Sequence, residues 1–290
     1  MKNLKYTIQA IIIFIFFIFS KIIGIKLSRF FFKHLFYFLG PIIRSNNIIK
    51  KNIKLISSSK EKNLDLKSVV KNMWFNYGMT FAEYMHLNEI RNNFDHYVKI
   101  KNVEVLEKIK NKNKPVIFIS GHFANFEIMS LSLTKMNIKL ATIYRPLNNF
   151  FINPLMIHLR KKYICKNQIK KGRGGVRDAL QFLDNLNCIA LMIDQRVSEG
   201  DKLKLFGTEA YTTTLPANLA LKYKCDIVPI YLERNKTNNF EMKILDPIIV
   251  SDMINNSENK QKISLNLNLI LEEMILKKPD QWILTHNRWK

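Results

Sequence analysis

An α/β fold is expected from three features of this 290-residue chain. From Lys114 onward, short apolar runs alternate with helical patterns: Val116 to Ile119, Leu140 to Ile143, Cys188 to Ile193 and Ile227 to Leu232. Polar, chemistry-bearing residues follow directly on the first three runs, as they do where an α/β sheet presents its active loops at strand ends. The length suits one large α/β domain, alone or with a short appendage, and the apolar N-terminus would supply such an appendage. The expected division is therefore 1–40 as a membrane anchor and interfacial segment and 41–290 as the main α/β domain.

Taken in order, Ala10 to Phe19 is an unbroken apolar run, and Tyr6 to Ile25 just reaches the ~20 residues of a span if Lys21 snorkels. Lys2 and Lys5 would also suit a signal peptide, but no small-x-small cleavage site follows Phe19, so retention as an anchor helix is expected. A second cluster, Phe30-Phe31-Phe32 with Leu35 to Leu39, is broken by Lys33 and His34 and stops at Gly40-Pro41; it reads as an interfacial helix or as hydrophobic core. Basic residues flank both sides of the first segment, so charge does not orient it. Lys50 to Lys62 reads as a polar linker. A helix from about Leu64 to Arg91 then carries Trp74, Tyr77, Phe81 and Tyr84 at helical spacing, as a packed face does.

The most chemical segment is Ser120-Gly121-His122-Phe123-Ala124-Asn125-Phe126-Glu127. Five residues along an ideal helix turn a side chain by roughly 140°, so His122 and Glu127 cannot both sit mid-helix and meet. With Pro115 to Ser120 as a strand and a helix starting near Ala124 or Asn125, His122 falls in the loop and Glu127 in the first turn. A carboxylate holding one ring nitrogen as donor leaves the other free to take a proton from a hydroxyl. The plain alternative is a loop histidine and an ordinary first-turn acid. Zinc fits poorly, because no H-E-x-x-H occurs, and no metal or cofactor is expected.

Arg145 follows the Leu140 run and Asp194-Gln195 follow the Cys188 run, as substrate contacts or as solvated loop starts. Gly172-Arg173-Gly174-Gly175 offers amides and a cation before a helix but lacks the P-loop lysine and spacing. Thr212 to Pro216 reads as a capped helix start. Cys165, Cys188 and Cys225 are few and widely spaced, which points to a reducing compartment; Cys225, before an apolar strand, reads as structural. With 46 Lys and Arg against 23 Asp and Glu, the formal net charge is +23, and an anionic partner follows: nucleic acid, anionic lipid or an acidic carrier protein. No nucleic-acid motif accompanies that charge, so a nucleic-acid-binding protein is an alternative resting on charge alone.

Taken together, GHFANFE, YRPLNN, GRGGVRDAL, LMIDQ, FGTEAYTTTLPANLA and the terminal KPDQWILTHNRWK resemble the late acyltransferases of lipid A biosynthesis, the lauroyl and myristoyl transferase family. The blocks run in the family's order from about Lys114 to Lys290. The resemblance implies a glycerolipid-acyltransferase-like mixed sheet flanked by helices. It also implies an O-acyltransferase of lipopolysaccharide synthesis at the cell inner membrane, with its catalytic domain on the cytoplasmic side. His122 would be the base and Glu127 its orienting acid, while Arg145, Asn125, Asp194, Gln195 and Arg173 would meet substrate. The donor would be an acyl carrier protein thioester and the acceptor a hydroxyl of an anionic, phosphorylated, Kdo-containing lipid A precursor; no nucleic acid is implied. Transfer to another glycolipid or phospholipid, or an inactive membrane scaffold, is the alternative. Ala124 stands where the family usually has Gly, and Phe126 where it usually has Trp.

Overall fold

The computed structural model describes residues 2–44, 46–59, 64–112 and 114–290. Helix α1 (Lys2–Ile43) is followed by α2 (Asn46–Ser59), α3 (Leu66–Glu83), and the short α4 (Leu87–Asn92) and α5 (Phe94–Tyr97). Strand β1 (Val98–Lys101), α6 (Glu104–Lys112), β2 (Ile117–Ser120), α7 (Glu127–Lys135), β3 (Leu140–Tyr144) and α8 (Asn153–Leu159) come next. Then follow β4 (Asn167–Lys170), α9 (Arg173–Asp184), β5 (Cys188–Met192), the hairpin of β6 (Asp201–Leu205) and β7 (Thr208–Thr212), and α10 (Leu215–Tyr223). The chain closes with β8 (Ile227–Arg234), β9 (Phe240–Ile244) and α11 (Ser257–Lys277).

Seven strands form one mixed sheet in the order β1-β9-β8-β2-β5-β3-β4. The central strands β8, β2, β5, β3 and β4 are parallel, β9 runs antiparallel to β8, and β1 is parallel to β9. All four residues of β2 are buried, as a strand covered on both faces requires. One face packs under α4, α7 and α8 through residues such as Leu87, Met129 and Met156. The other packs under α9, α10 and α11 through Leu183, Leu219 and Leu267. A third cluster joins α2, α3, the β6-β7 hairpin and the terminal segment, where Ile53, Met73, Phe206 and Trp282 meet.

The four apolar runs are all strands, but β1, β4, β9 and the β6-β7 hairpin escape a reading by hydrophobicity. Their burial alternates, with exposed charged positions such as Lys99, Lys101 and Lys202, so they form no apolar run. The expected linker at Lys50 to Lys62 is, as far as Ser59, the greater part of α2; residues 60–62 lie outside the described ones. Ile49, Ile53 and Ile56 recur there at helical spacing and are buried, and their exposed lysine neighbours disguise the stripe.

The N-terminal apolar helix is a hairpin. Gly24 leaves helical geometry at φ 75°, ψ 166°, a conformation that suits glycine alone. Phe16 then packs on Phe32 at 5.6 Å and Phe19 on Phe31 at 5.0 Å, centroid to centroid. In a continuous helix sixteen residues would span about 24 Å. The second arm lies on α3 so tightly that a Cβ on Gly78 would stand 2.1 Å from the Phe32 carbonyl oxygen. The expected anchor and the aromatic cluster after it are therefore two arms of one unit, and the helix carries on past Gly40-Pro41 to Ile43.

Candidate active site

Strand register assembles the site. Ser120, the last residue of β2, pairs with Met192, the last of β5, so the residues two positions beyond each end emerge side by side. These are His122 and Asp194. The Asp194 carboxylate is fully buried, and one oxygen lies 2.7 Å from His122 Nδ1. Its other oxygen accepts from the His122 backbone N–H at 2.8 Å and from the Trp282 indole Nε1–H at 2.9 Å. Burial works against the Asp194 charge, but the His122 ring and amide and the Trp282 indole outweigh it and hold the carboxyl below its ordinary 3.8. An ionised Asp194 makes Nδ1 the protonated nitrogen, which leaves Nε2 with a free lone pair.

His122 lies before α7 and Glu127 in its first turn, as the spacing required. The two do not form the expected pair. Ala124, at φ 46°, turns the chain between them. Glu127 points instead to α8 and its continuation: Arg160 Nε lies 2.7 Å and an Arg160 terminal nitrogen 2.6 Å from Oε1, and the Tyr84 hydroxyl donates to the same oxygen at 2.9 Å. Burial pushes the Tyr84 phenol far up, and the Glu127 charge adds to it. Burial opposes the Arg160 charge, but Glu127 outweighs it and raises the guanidinium above its usual value. The acid that orients the imidazole is Asp194, which sequence reading assigned to substrate. Ala124 lies in the left-handed region, which ordinarily favours glycine.

Asn125, expected at substrate, is fully buried and donates to Glu83 at 3.0 Å. Glu83 is itself enclosed by Arg29 at 2.7 Å and by Arg234 with contacts at 2.5 and 3.0 Å. Burial disfavours that carboxylate, yet the two guanidinium groups outweigh it and keep its pKa below 4.5. Asn125 therefore ties the histidine loop to the protein interior. Gln195 is half-buried beside Asp194. Arg145 is exposed just beyond β3, on the same end of the sheet but two strands from β2, about 10 Å by strand spacing. Arg173 opens α9 after the edge strand β4, and its side chain lies outside the described residues. Gly175 has a structural reason: an added Cβ would sit 1.9 Å from the Lys170 carbonyl oxygen. All three cysteines are buried, and burial together with Asp226 pushes the Cys225 thiol up to about 12.

The terminal segment braces the site, a role its sequence shows only as scattered aromatic and polar residues. Gln281 accepts the Ala124 N–H on its backbone oxygen at 2.8 Å, and Phe123 pairs with Trp282. His286 Nε2 accepts from the Arg196 amide at 2.9 Å, while buried Arg288 donates to the Tyr211 carbonyl and the Thr212 hydroxyl at 2.7 and 2.8 Å. Asn52 of α2 clamps the segment from outside through the carbonyls of Leu284 and His286.

A mixed α/β sheet with a buried aspartate and a half-free histidine at its central carboxyl ends defines a class: proteins equipped for general-base chemistry on a ligand held over the strand ends. The chain belongs to the bacterial lipid A biosynthesis acyltransferase family, whose model matches residues 1–290. It is thus an acyltransferase of lipid A synthesis. No curated protein matches the chain.

Proposed function

We propose that the chain transfers a fatty acyl group from an acyl carrier protein thioester to a hydroxyl of a Kdo-containing lipid A precursor, with His122 as general base. The observation that carries this reading is the His122–Asp194 pair at 2.7 Å, which leaves Nε2 as the free nitrogen. Nε2 takes the proton of the acceptor hydroxyl as its oxygen attacks the thioester carbonyl carbon. The tetrahedral intermediate then expels the thiolate, which takes the proton back from the imidazolium, so the base is regenerated. Direct transfer of this kind uses no covalent enzyme intermediate, in keeping with three buried thiols.

Arg145, exposed on the same end of the sheet, is proposed to meet an acceptor phosphate or the thioester oxyanion, with Gln195 beside the pair and Arg173 as a more distant anion contact. Glu127 is proposed as a positioning residue that holds Arg160 and Tyr84 behind the loop. The net charge of +23 supports an acidic donor protein and a phosphorylated acceptor. The outward apolar surface of the N-terminal hairpin supports membrane association, which we assign to the cell inner membrane with the catalytic body on the cytoplasmic side.

The test incubates membranes containing the protein with a panel of acyl carrier thioesters and lipid A precursor, and weighs the lipid products. One added acyl chain per precursor is expected, and His122→Ala should abolish it while circular dichroism stays unchanged. Undiminished turnover by that variant overturns the mechanism, and a product on a phospholipid or another glycolipid instead reassigns the acceptor.

A further inference from the structure

The N-terminal hairpin is bolted along its length to the catalytic body. Near its start, Asn149 donates to the Tyr6 carbonyl at 2.8 Å and Phe150 packs on the Tyr6 ring at 6.1 Å. Further along, Phe17 stacks on Phe81 at 5.0 Å. At the bend, Ser20 donates to the Ala82 carbonyl at 3.2 Å, Ser28 to the Ser20 carbonyl at 2.8 Å, and Lys21 reaches the Met85 carbonyl at 3.4 Å. Just past it, Arg29 enters the buried Glu83 cluster. From Tyr6 to Lys21 the first arm thus follows the body for about 22 Å.

The opposite face of that arm is also apolar. Ile8, Ile11, Ile12, Ile15, Ile18 and Ile22 recur at helical spacing with exposures from 46% to 77%. Phe150 and Phe151, beside Tyr6 and exposed at 50% and 41%, extend the patch towards the Arg145 end of β3. Such a stripe exceeds what a water-facing surface ordinarily carries. A straight crossing of the bilayer would drag the partners of Tyr6, Ser20 and Arg29 into hydrocarbon, including the buried Glu83–Arg234 pair. Exposed Lys5 lies near one end of the arm, and exposed Lys21 and Lys26 flank the bend at the other. Those positions suit anionic headgroups of a single leaflet.

We propose that the hairpin is monotopic: it does not cross the membrane but lies along it, its outer face sunk into one leaflet, with both ends of the arm and the catalytic body on the same side. The lipid acceptor would then reach the strand ends sideways from that leaflet, past Phe150 and Phe151. This rests on the membrane association proposed above and not on the acyl-transfer chemistry, which activity assays on the same variants report separately.

The test uses full-length chains carrying Lys5→Cys, Lys26→Cys or, on the body, Lys222→Cys, all exposed positions. The buried native cysteines make the unsubstituted chain the blank. A membrane-impermeant maleimide is applied to sealed vesicles of each orientation. All three positions should react in the same orientation and stay silent in the other. Reaction of positions 5 and 26 from opposite sides, or no reaction at 26 in either, overturns the proposal. So does protein that leaves the vesicles under mild salt and sediments as a lipid-free dimer, since a second copy would then cover the stripe.

Discussion

Replacing Asp194 with Asn isolates the part of the site that sets the histidine tautomer. One Asp194 oxygen accepts two protein N–H groups, from His122 and Trp282, so the Asn carbonyl must take that place. The amide NH2 then faces His122 Nδ1, where the other carboxylate oxygen stood at 2.7 Å. A donor there forces Nδ1 to accept, moves the ring proton to Nε2 and removes the lone pair that would take the hydroxyl proton. General-base assistance contributes about 10²–10⁴-fold, so kcat should fall by that factor, about 3–5 kcal/mol of barrier. The equivalent change in the serine-protease triad costs about 10⁴ for the same reason. Because Asp194 is fully buried and cannot touch substrate, KM should hold. Steady-state kinetics with thermal melting measures this, with Glu127→Gln as comparator. The comparator should lower the melting temperature by loosening a nearly buried ion pair while losing less kcat. A folded Asp194→Asn protein with kcat within threefold of the parent, beside an inactive and folded Glu127→Gln protein, would refute the assignment of Asp194 as the orienting acid.

Two further outcomes follow from the hairpin and the terminal brace. At Gly24 an added Cβ meets nothing within 4 Å, so Gly24→Ala tests the backbone alone. Strain of about 1–3 kcal/mol should lower the melting temperature by several degrees, and an unchanged melt would contradict a bend at that residue. His286 is held neutral: burial lowers its pKa below 6.5, and its Nε2 accepts the Arg196 amide. The unfolded chain therefore takes up the proton first as pH falls, so this contribution is complete above 6.5 and is lost as pH drops through the lower folded value. Melting temperature should decline from pH 7.5 towards 5.5, and His286→Gln should flatten the decline; a flat profile in the parent would overturn the buried-neutral assignment.

The central strands, the helix carrying Glu127 and the position of His122 just before it were legible in the sequence. Local periodicity and the 100° turn per helical residue settle such matters over a few positions. The polar strand ends at Asp194 and Gln195 were legible too, as places. Their roles were not: whether Asp194 or Glu127 faces the imidazole depends on strand register and on a left-handed Ala124, and neither leaves a local hydrophobic signal. Asn125 shows the same limit, since its position in the motif suited a substrate contact while its fully buried side chain holds Glu83.

The chain's apolar start was equally visible as composition and equally open as geometry. Residues 6–25 have the length and hydropathy of a span, and those properties depend on sequence alone. The bend at Gly24 and the docking of Tyr6, Ser20 and Arg29 come from residues up to 143 positions away. So the amino-acid sequence by itself determined the family, the α/β layering and which side chains can do chemistry, because these follow from residue type and short-range period. Which carboxylate faces the imidazole, and which apolar face of the hairpin is left exposed, only the tertiary structure decided, because both are set by contacts between segments far apart in the chain.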